Sequence, residues 1–192
     1  MICRPASCRK APPTEDASSS VSQGRPDARQ TDRFAATYPA LMLKPFVPPD
    51  FTPPTGLRTA EFVLEPLGPR HNEPDNLAWT SSLDHIRATP GFEGSGWWSS
   101  AKGLDENLKD LEQHADDFAR RSGFTYTVLD PSDADVIGCV YIYPASDDQH
   151  DAFVQSWVRA SRAALDKPLW RTVSEWLARD WPFDNVEYAS RD

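Results

Sequence analysis

Three apolar runs, residues 124–131, 135–144 and 152–159, set the pattern of the chain. Each is rich in Val, Ile, Tyr, Phe and Thr, and Pro/Asp/Ser clusters separate them, which predicts three strands joined by turns. A helical pattern on either side makes them the middle of an α/β (α+β) layer. Upstream, Leu104, Leu108, Leu111, Ala115 and Phe118 recur at steps of four and three, predicting an amphipathic helix. Asp105, Glu106, Asp110, Glu112, Asp116 and Asp117 then form its solvated face, Arg120 and Arg121 suit its C-terminal end, and Gly123 suits a left-handed cap.

Residues 61–67 alternate well enough for a first strand, with Pro66 at its end or near an edge. Asn72-Glu-Pro-Asp has the composition of a helix start, with Asn72 as N-cap, and Leu77, Trp79, Leu83 and Ile86 supply an apolar stripe up to Pro90. Downstream, Asp166-Lys-Pro-Leu opens a helix whose Leu169, Val173, Trp176 and Leu177 face the core, and Pro182 bounds it. Residues 185–190 form a last short strand. The predicted order is strand, helix, helix, three strands, helix, strand, without an internal repeat.

Residues 1–41 lack apolar periodicity and read as a disordered tail. The character changes at Met42, a candidate start of the natural chain. Residues 42–56 follow as a Pro-rich arm, five of the prolines lying within 45–56. Such a segment is extended and suits a strap across the domain surface. The domain itself is expected over 57–192.

Charge narrows the function. The net charge is −9, and residues 1–41 hold six basic and four acidic residues, leaving −11 for the remainder. An acidic domain lacks the Lys/Arg needed to neutralise phosphates, so nucleic acid and anionic membrane are not expected partners. No apolar run reaches the ~18 residues of a membrane span. The N-terminus has no apolar signal region, and a cytoplasmic location is expected. Cys3, Cys8 and Cys139 make neither a disulfide framework nor a zinc set, and Cys139, mid-strand, reads as a small buried hydrophobe.

Chemistry-bearing motifs are sparse. His71, His85, His114 and His150 show no metal spacing and read as solvated or locally hydrogen-bonded. No P-loop, G-x-G-x-x-G or nucleophile elbow occurs. Gly138, alone in a strand, marks a bulge or close packing. Trp97 and Trp98, in the loop 91–103, either line a binding site or fold back over the core. Against the acidic background, Arg159, Arg162, Lys167 and Arg171 cluster where the third central strand meets the next helix, opposed by Asp166. Such a junction suits an anion, and the same charges also suit simple balance with nearby acids.

The order of elements, the central strand DVIGCVYI (135–142), and the segments Trp157-Val-Arg, Trp170-Arg-Thr-Val-Ser-Glu-Trp-Leu-Ala and Asn185-Val-Glu-Tyr resemble the GNAT acyl-CoA N-acyltransferase superfamily. The resemblance covers about residues 57–190. It implies a mixed, mostly antiparallel central sheet flanked by helices in β-α-α-β-β-β-α-β order, which splays to admit acetyl-CoA. It further implies cofactor contacts at Trp157, Val158, Arg159, Arg162, Ala163 and Ala164. Two features depart from the family. No register of the loop keeps the glycine that brings backbone close to phosphate. The family's last helix and two strands, which often carry a tyrosine acid, have no counterpart, so a homodimer could complete the sheet. Glu187 and Tyr143 are available as acid–base groups, and neither is assigned. The expected activity is acetyl transfer from acetyl-CoA to a small-molecule amine; the alternative is an inactive GNAT-like binding or interaction module.

Overall fold

The computed structural model describes residues 45–93 and 103–191. Cys3, Cys8, Met42, the tail 1–41, and Trp97 and Trp98 lie outside these residues. The strands are β1 (Leu57–Arg58), β2 (Val63–Pro66), β3 (Phe124–Leu129), β4 (Val136–Pro144), β5 (Ala152–Val158) and β6 (Val186–Tyr188). The helices are α1 (Asn72–Thr80), α2 (Leu83–Ala88), α3 (Leu104–Ala119) and α4 (Asp166–Asp180). All six strands join one sheet in chain order. Neighbours are antiparallel except β5 and β6, which are parallel. A parallel pair needs a crossover, and α4 supplies it.

Every residue of β3 is buried, because both faces of the sheet are covered. On one face α4 contributes Leu169, Val173, Trp176 and Leu177 against Tyr126, Val140, Ile142 and Val154. The Pro-rich arm straps the same face: Val47 is buried, Phe46 stacks on Phe124 and Phe183, and Pro54 O accepts from the Tyr126 hydroxyl at 2.6 Å. On the opposite face Ala78, Trp79, Ile86 and Leu111 of α1, α2 and α3 cover Cys139, Tyr141 and Trp157.

The central strands, α4 and β6 lie where the sequence places them, and several local expectations need correction. A hairpin partner, β1, precedes the expected first strand; its turn is closed by Thr59, whose Oγ1 accepts from Phe62 N at 2.9 Å. The helix expected over 72–90 breaks at Ser81–Ser82, where Ser81 Oγ donates to Leu77 O at 2.7 Å and Ser82 Oγ accepts from Ala160 N at 3.0 Å. Asn72 is the first helical residue rather than the cap; its side chain instead donates to Leu104 O at 3.1 Å. Leu77 points outward, 61% exposed. Gly123 is not the left-handed residue after α3, since Arg121 takes that conformation at φ 60. Gly123 serves close packing, for a Cβ there would fall 2.2 Å from the Tyr143 ring.

The largest correction concerns α3. Its buried residues are Asn107, Asp110, Leu111, His114 and Asp117, while Leu104 is 44% exposed. Asp110 and Asp117 therefore do not belong to a solvated face. The helix is turned so that polar groups meet hydroxyls on β3 and β4, a preference that apolar spacing does not register. Gly138 fulfils the close-packing expectation: a Cβ there would meet Trp157 O at 2.1 Å.

Candidate active site at the β5–β6 opening

β5 is paired with β4 along its whole length, from Pro144↔Ala152 to Gly138↔Val158. Its pairing with β6 covers only Ala152↔Val186, Phe153↔Glu187 and Val154↔Tyr188. From Gln155 onward the two strands part. Backbone groups on a strand alternate sides. Arg159 N donates to Ile137 O on β4, whereas Ser156 O accepts from Arg191 on the opposite side. Ser156, and Val158 two residues on, thus present their backbone amide and carbonyl to the opening.

Three segments surround this opening. Arg191, although near the chain's end, is only 9% exposed. Its Nη2 donates to Ser156 O at 2.9 Å, its Nε to Asp166 Oδ2 at 2.7 Å, and its Nη1 to Pro90 O at 3.1 Å and Ala189 O at 2.7 Å. Gln155 Nε2 donates to Gly91 O, tying the loop after α2 to β5. Gly91 suits that loop, with φ at +90, and a Cβ there would lie 3.3 Å from Ala189 Cβ, a tight contact. The Tyr188 hydroxyl lies 2.5 Å from Ser156 Oγ. Burial pushes the Tyr188 phenol well up, and Asp166 adds to this, so it holds its proton.

The residues implied as cofactor contacts are distributed around the opening. Trp157 turns its ring to the α1 side, where Nε1 donates to the Tyr141 hydroxyl at 3.2 Å, and Val158 packs on the α4 side. Arg159 Nη1 donates to Asp135 Oδ2 at 2.8 Å, and Arg162 Nη2 pairs with Asp130 Oδ2 at 2.8 Å. Hydrogen bonds from Ser132, with Arg162 assisting, hold the Asp130 carboxyl below its usual range. Ala163 and Ala164 are exposed on a 3-10 segment, Ala160–Leu165, in which Arg162 departs from helical geometry. Several amides of this segment are engaged: Ala160 N with Ser82 Oγ, Arg162 N with Arg159 O, and Asp166 N with Ala163 O.

Against β3 and β4, on the α1–α3 side, lies a buried polar chain. Asp75 of α1 accepts from Asn107 Nδ2 at 3.1 Å and from the Cys139 thiol at 3.4 Å. Neither partner is cationic. Burial, with Asp110 nearby, pushes Asp75 up to about 6. Burial first, and Asp75 next, push the Cys139 thiol well up, so it stays protonated. Cys139 is thus buried as expected, yet it acts as a donor too. Further along α3, Tyr143 donates to Asp117 Oδ2 at 3.2 Å and lies 3.0 Å from His114 Nδ1, which is also 3.0 Å from Thr125 Oγ1.

Among the described residues, Asp147, His150 and Glu187 could gather ligand atoms within 4.8 Å. Asp147 Oδ1 is already the acceptor of a turn, taking Gln149 N, His150 N and His150 Nδ1 at 2.8, 2.9 and 3.0 Å. Two residues carry contacts that no sequence motif announces: Asp75, which falls in the predicted helix start, and Arg191.

A solved structure described as a probable acetyltransferase superposes with TM-score 0.51 at 12% identity, over 71% of this chain and 74% of that one. The chain has the GNAT acetyltransferase fold. Weaker matches are the ribosomal-protein-S5-alanine acetyltransferase of Vibrio fischeri (TM-score 0.49, 10% identity, 65% and 67% of the chains) and the microcin C7 self-immunity acetyltransferase, solved with acetyl-CoA and AMP (0.48, 13%, 67% and 71%). No protein-family model and no curated protein matches the sequence. In the GNAT frame, β5 and β6 are the parallel pair that splays, as the resemblance implies. No helix among the described residues is long and apolar enough to cross a membrane.

Proposed function

We propose that this GNAT-fold chain is an acetyl-CoA-dependent N-acyltransferase acting on an amine of a small molecule or amino acid. The parting of β5 from β6 after Val154 carries the reading. The backbone of Ser156 and Val158 along this opening suits the amides of a pantetheine arm. The phosphate end fits less well: Arg159 and Arg162 are engaged by Asp135 and Asp130, and Asp166 stands at the first turn of α4. A bound phosphate competes with those carboxylates for the two arginines.

When bound, acetyl-CoA supplies a thioester. A backbone N–H on the open side of β5 polarises its carbonyl. The acceptor amine attacks, the C–N bond forms and the C–S bond breaks, with the electron pair leaving on sulfur. The amine proton passes to water. The leaving thiolate takes its proton from solvent. Calorimetry with acetyl-CoA, followed by mass-spectrometric detection of acetylated amines from a panel, tests the reading. Binding and at least one acetylated amine are expected; no binding at millimolar acetyl-CoA, by wild type and by variants of Arg191 alike, refutes it.

A second reading, a GNAT-fold module without catalysis, is favoured by Arg191, which fills the opening, and by the missing loop glycine. It requires a flat calorimetric trace for wild type and for variants of Arg191 alike.

A further inference from the structure

We propose that Arg191 is a displaceable latch on the β5–β6 opening: its guanidinium occupies the backbone acceptor that a pantetheine amide would use and must swing out before an acyl-CoA can seat. The inference rests on the acyl-CoA reading above and adds regulation of that site. Four hydrogen bonds converge on this side chain from four separate positions: β5 (Ser156 O), the start of α4 (Asp166), the loop after α2 (Pro90 O) and the segment after β6 (Ala189 O). The side chain is 3% exposed and its carboxylate partner 17%. A ring face also holds it, since the guanidinium carbon lies 5.8 Å from the Tyr188 ring centroid.

The same contacts explain why Asp166 can occupy a position otherwise hostile to phosphate. A carboxylate at a helix start repels an incoming polyphosphate, yet favours the helix dipole and binds Arg191. Closed, the pair is neutral and blocks the strand. Open, the Arg191 side chain leaves Ser156 O and Asp166, and its charge is free to attract the phosphate end. Such a latch reduces apparent affinity by the fraction of molecules that are open. Releasing it therefore tightens binding without adding any contact.

The test is calorimetric titration of the full chain with CoA, for wild type, Arg191→Ala and Arg191→Gln. Gln keeps a polar donor, so it guards against a fold lost by emptying the site; thermal melts verify folding of each. Amide exchange of residues 155–158 is followed without CoA. The latch predicts a Kd at least about tenfold lower in Arg191→Ala, a smaller gain in Arg191→Gln, and faster exchange at 155–158 in both. An unchanged Kd overturns the latch while leaving the acyl-CoA reading standing. A weaker Kd also overturns it, by making Arg191 a cofactor contact. No binding by any of the three overturns the acyl-CoA reading, and the latch with it.

Discussion

Under α4, the strands present Phe124, Tyr126, Val140, Ile142 and Val154 to a face in which Trp176, Trp181 and Phe183 fill the remaining space. Under α1 and α3, the same strands present Thr125, Cys139, Tyr141 and Tyr143 to Asp75, Asn107, His114 and Asp117. One face is held by area and aromatic geometry, the other by hydrogen bonds that have to be satisfied. The contrast bears on stability: the dry face adds to it, while Asp75, a buried carboxylate without a cation, subtracts from it. Each of the following variants strains that contrast at a different point.

The largest effect belongs to the dry face. Trp176 is 1% exposed and meets Tyr126 and Trp181 edge-on at ring distances of 5.1 and 5.6 Å. Trp176→Ala should cost about 3–5 kcal/mol, as emptied aromatic sites in cores do. Urea unfolding measures it. A loss under ~1 kcal/mol would mean that α4 does not carry this core.

Next comes Asp75, where the expected sign is opposite. Its folded pKa of about 6 is raised from 3.8, so the folded state binds the extra proton between these values. Stability attributable to this group therefore falls as pH rises through that window, and the full penalty is present above about 6. Asp75→Asn removes the titration, and should gain up to roughly 3 kcal/mol relative to wild type between pH 4 and pH 8, at 1.36 kcal/mol per pKa unit. Paired urea melts at the two pH values measure the change. A difference that does not vary with pH would place the carboxylate in contact with water or a cation.

How much of this was legible in the sequence follows the same division. The dry face was readable because apolar spacing reports area: Leu169, Val173, Trp176 and Leu177 were placed correctly from their three- and four-residue steps. β-branched and aromatic runs likewise gave β3, β4 and β5. The polar face was not readable by that method. A stripe of Asn107, Asp110, His114 and Asp117 looks solvated until hydroxyls on another element meet it, and those partners are distant in sequence. The opening was legible only through the family resemblance, which named the strand but not its occupant. Arg191 meets Ser156, Asp166 and Pro90, and no local pattern announces contacts over 35, 25 and 101 residues.

The smallest expected effect tests how dry the dry face is. Trp181 packs against Phe51, Phe124, Trp176 and Phe183 with ring distances of 5.0 to 5.6 Å, yet its Nε1 is buried without a hydrogen-bond partner. Trp181→Phe shrinks the ring, which costs roughly 1–2 kcal/mol of packing, and removes an unsatisfied donor whose desolvation costs about 1–3 kcal/mol. The two nearly cancel, so urea melts should show a change within about 1 kcal/mol of zero. On the polar face, deleting a paired donor such as the Tyr143 hydroxyl has no such compensation, because it leaves the Asp117 acceptor behind. A loss well above 2 kcal/mol for Trp181→Phe would mean that Nε1 meets a buried water, and the two faces would then differ in degree rather than in kind.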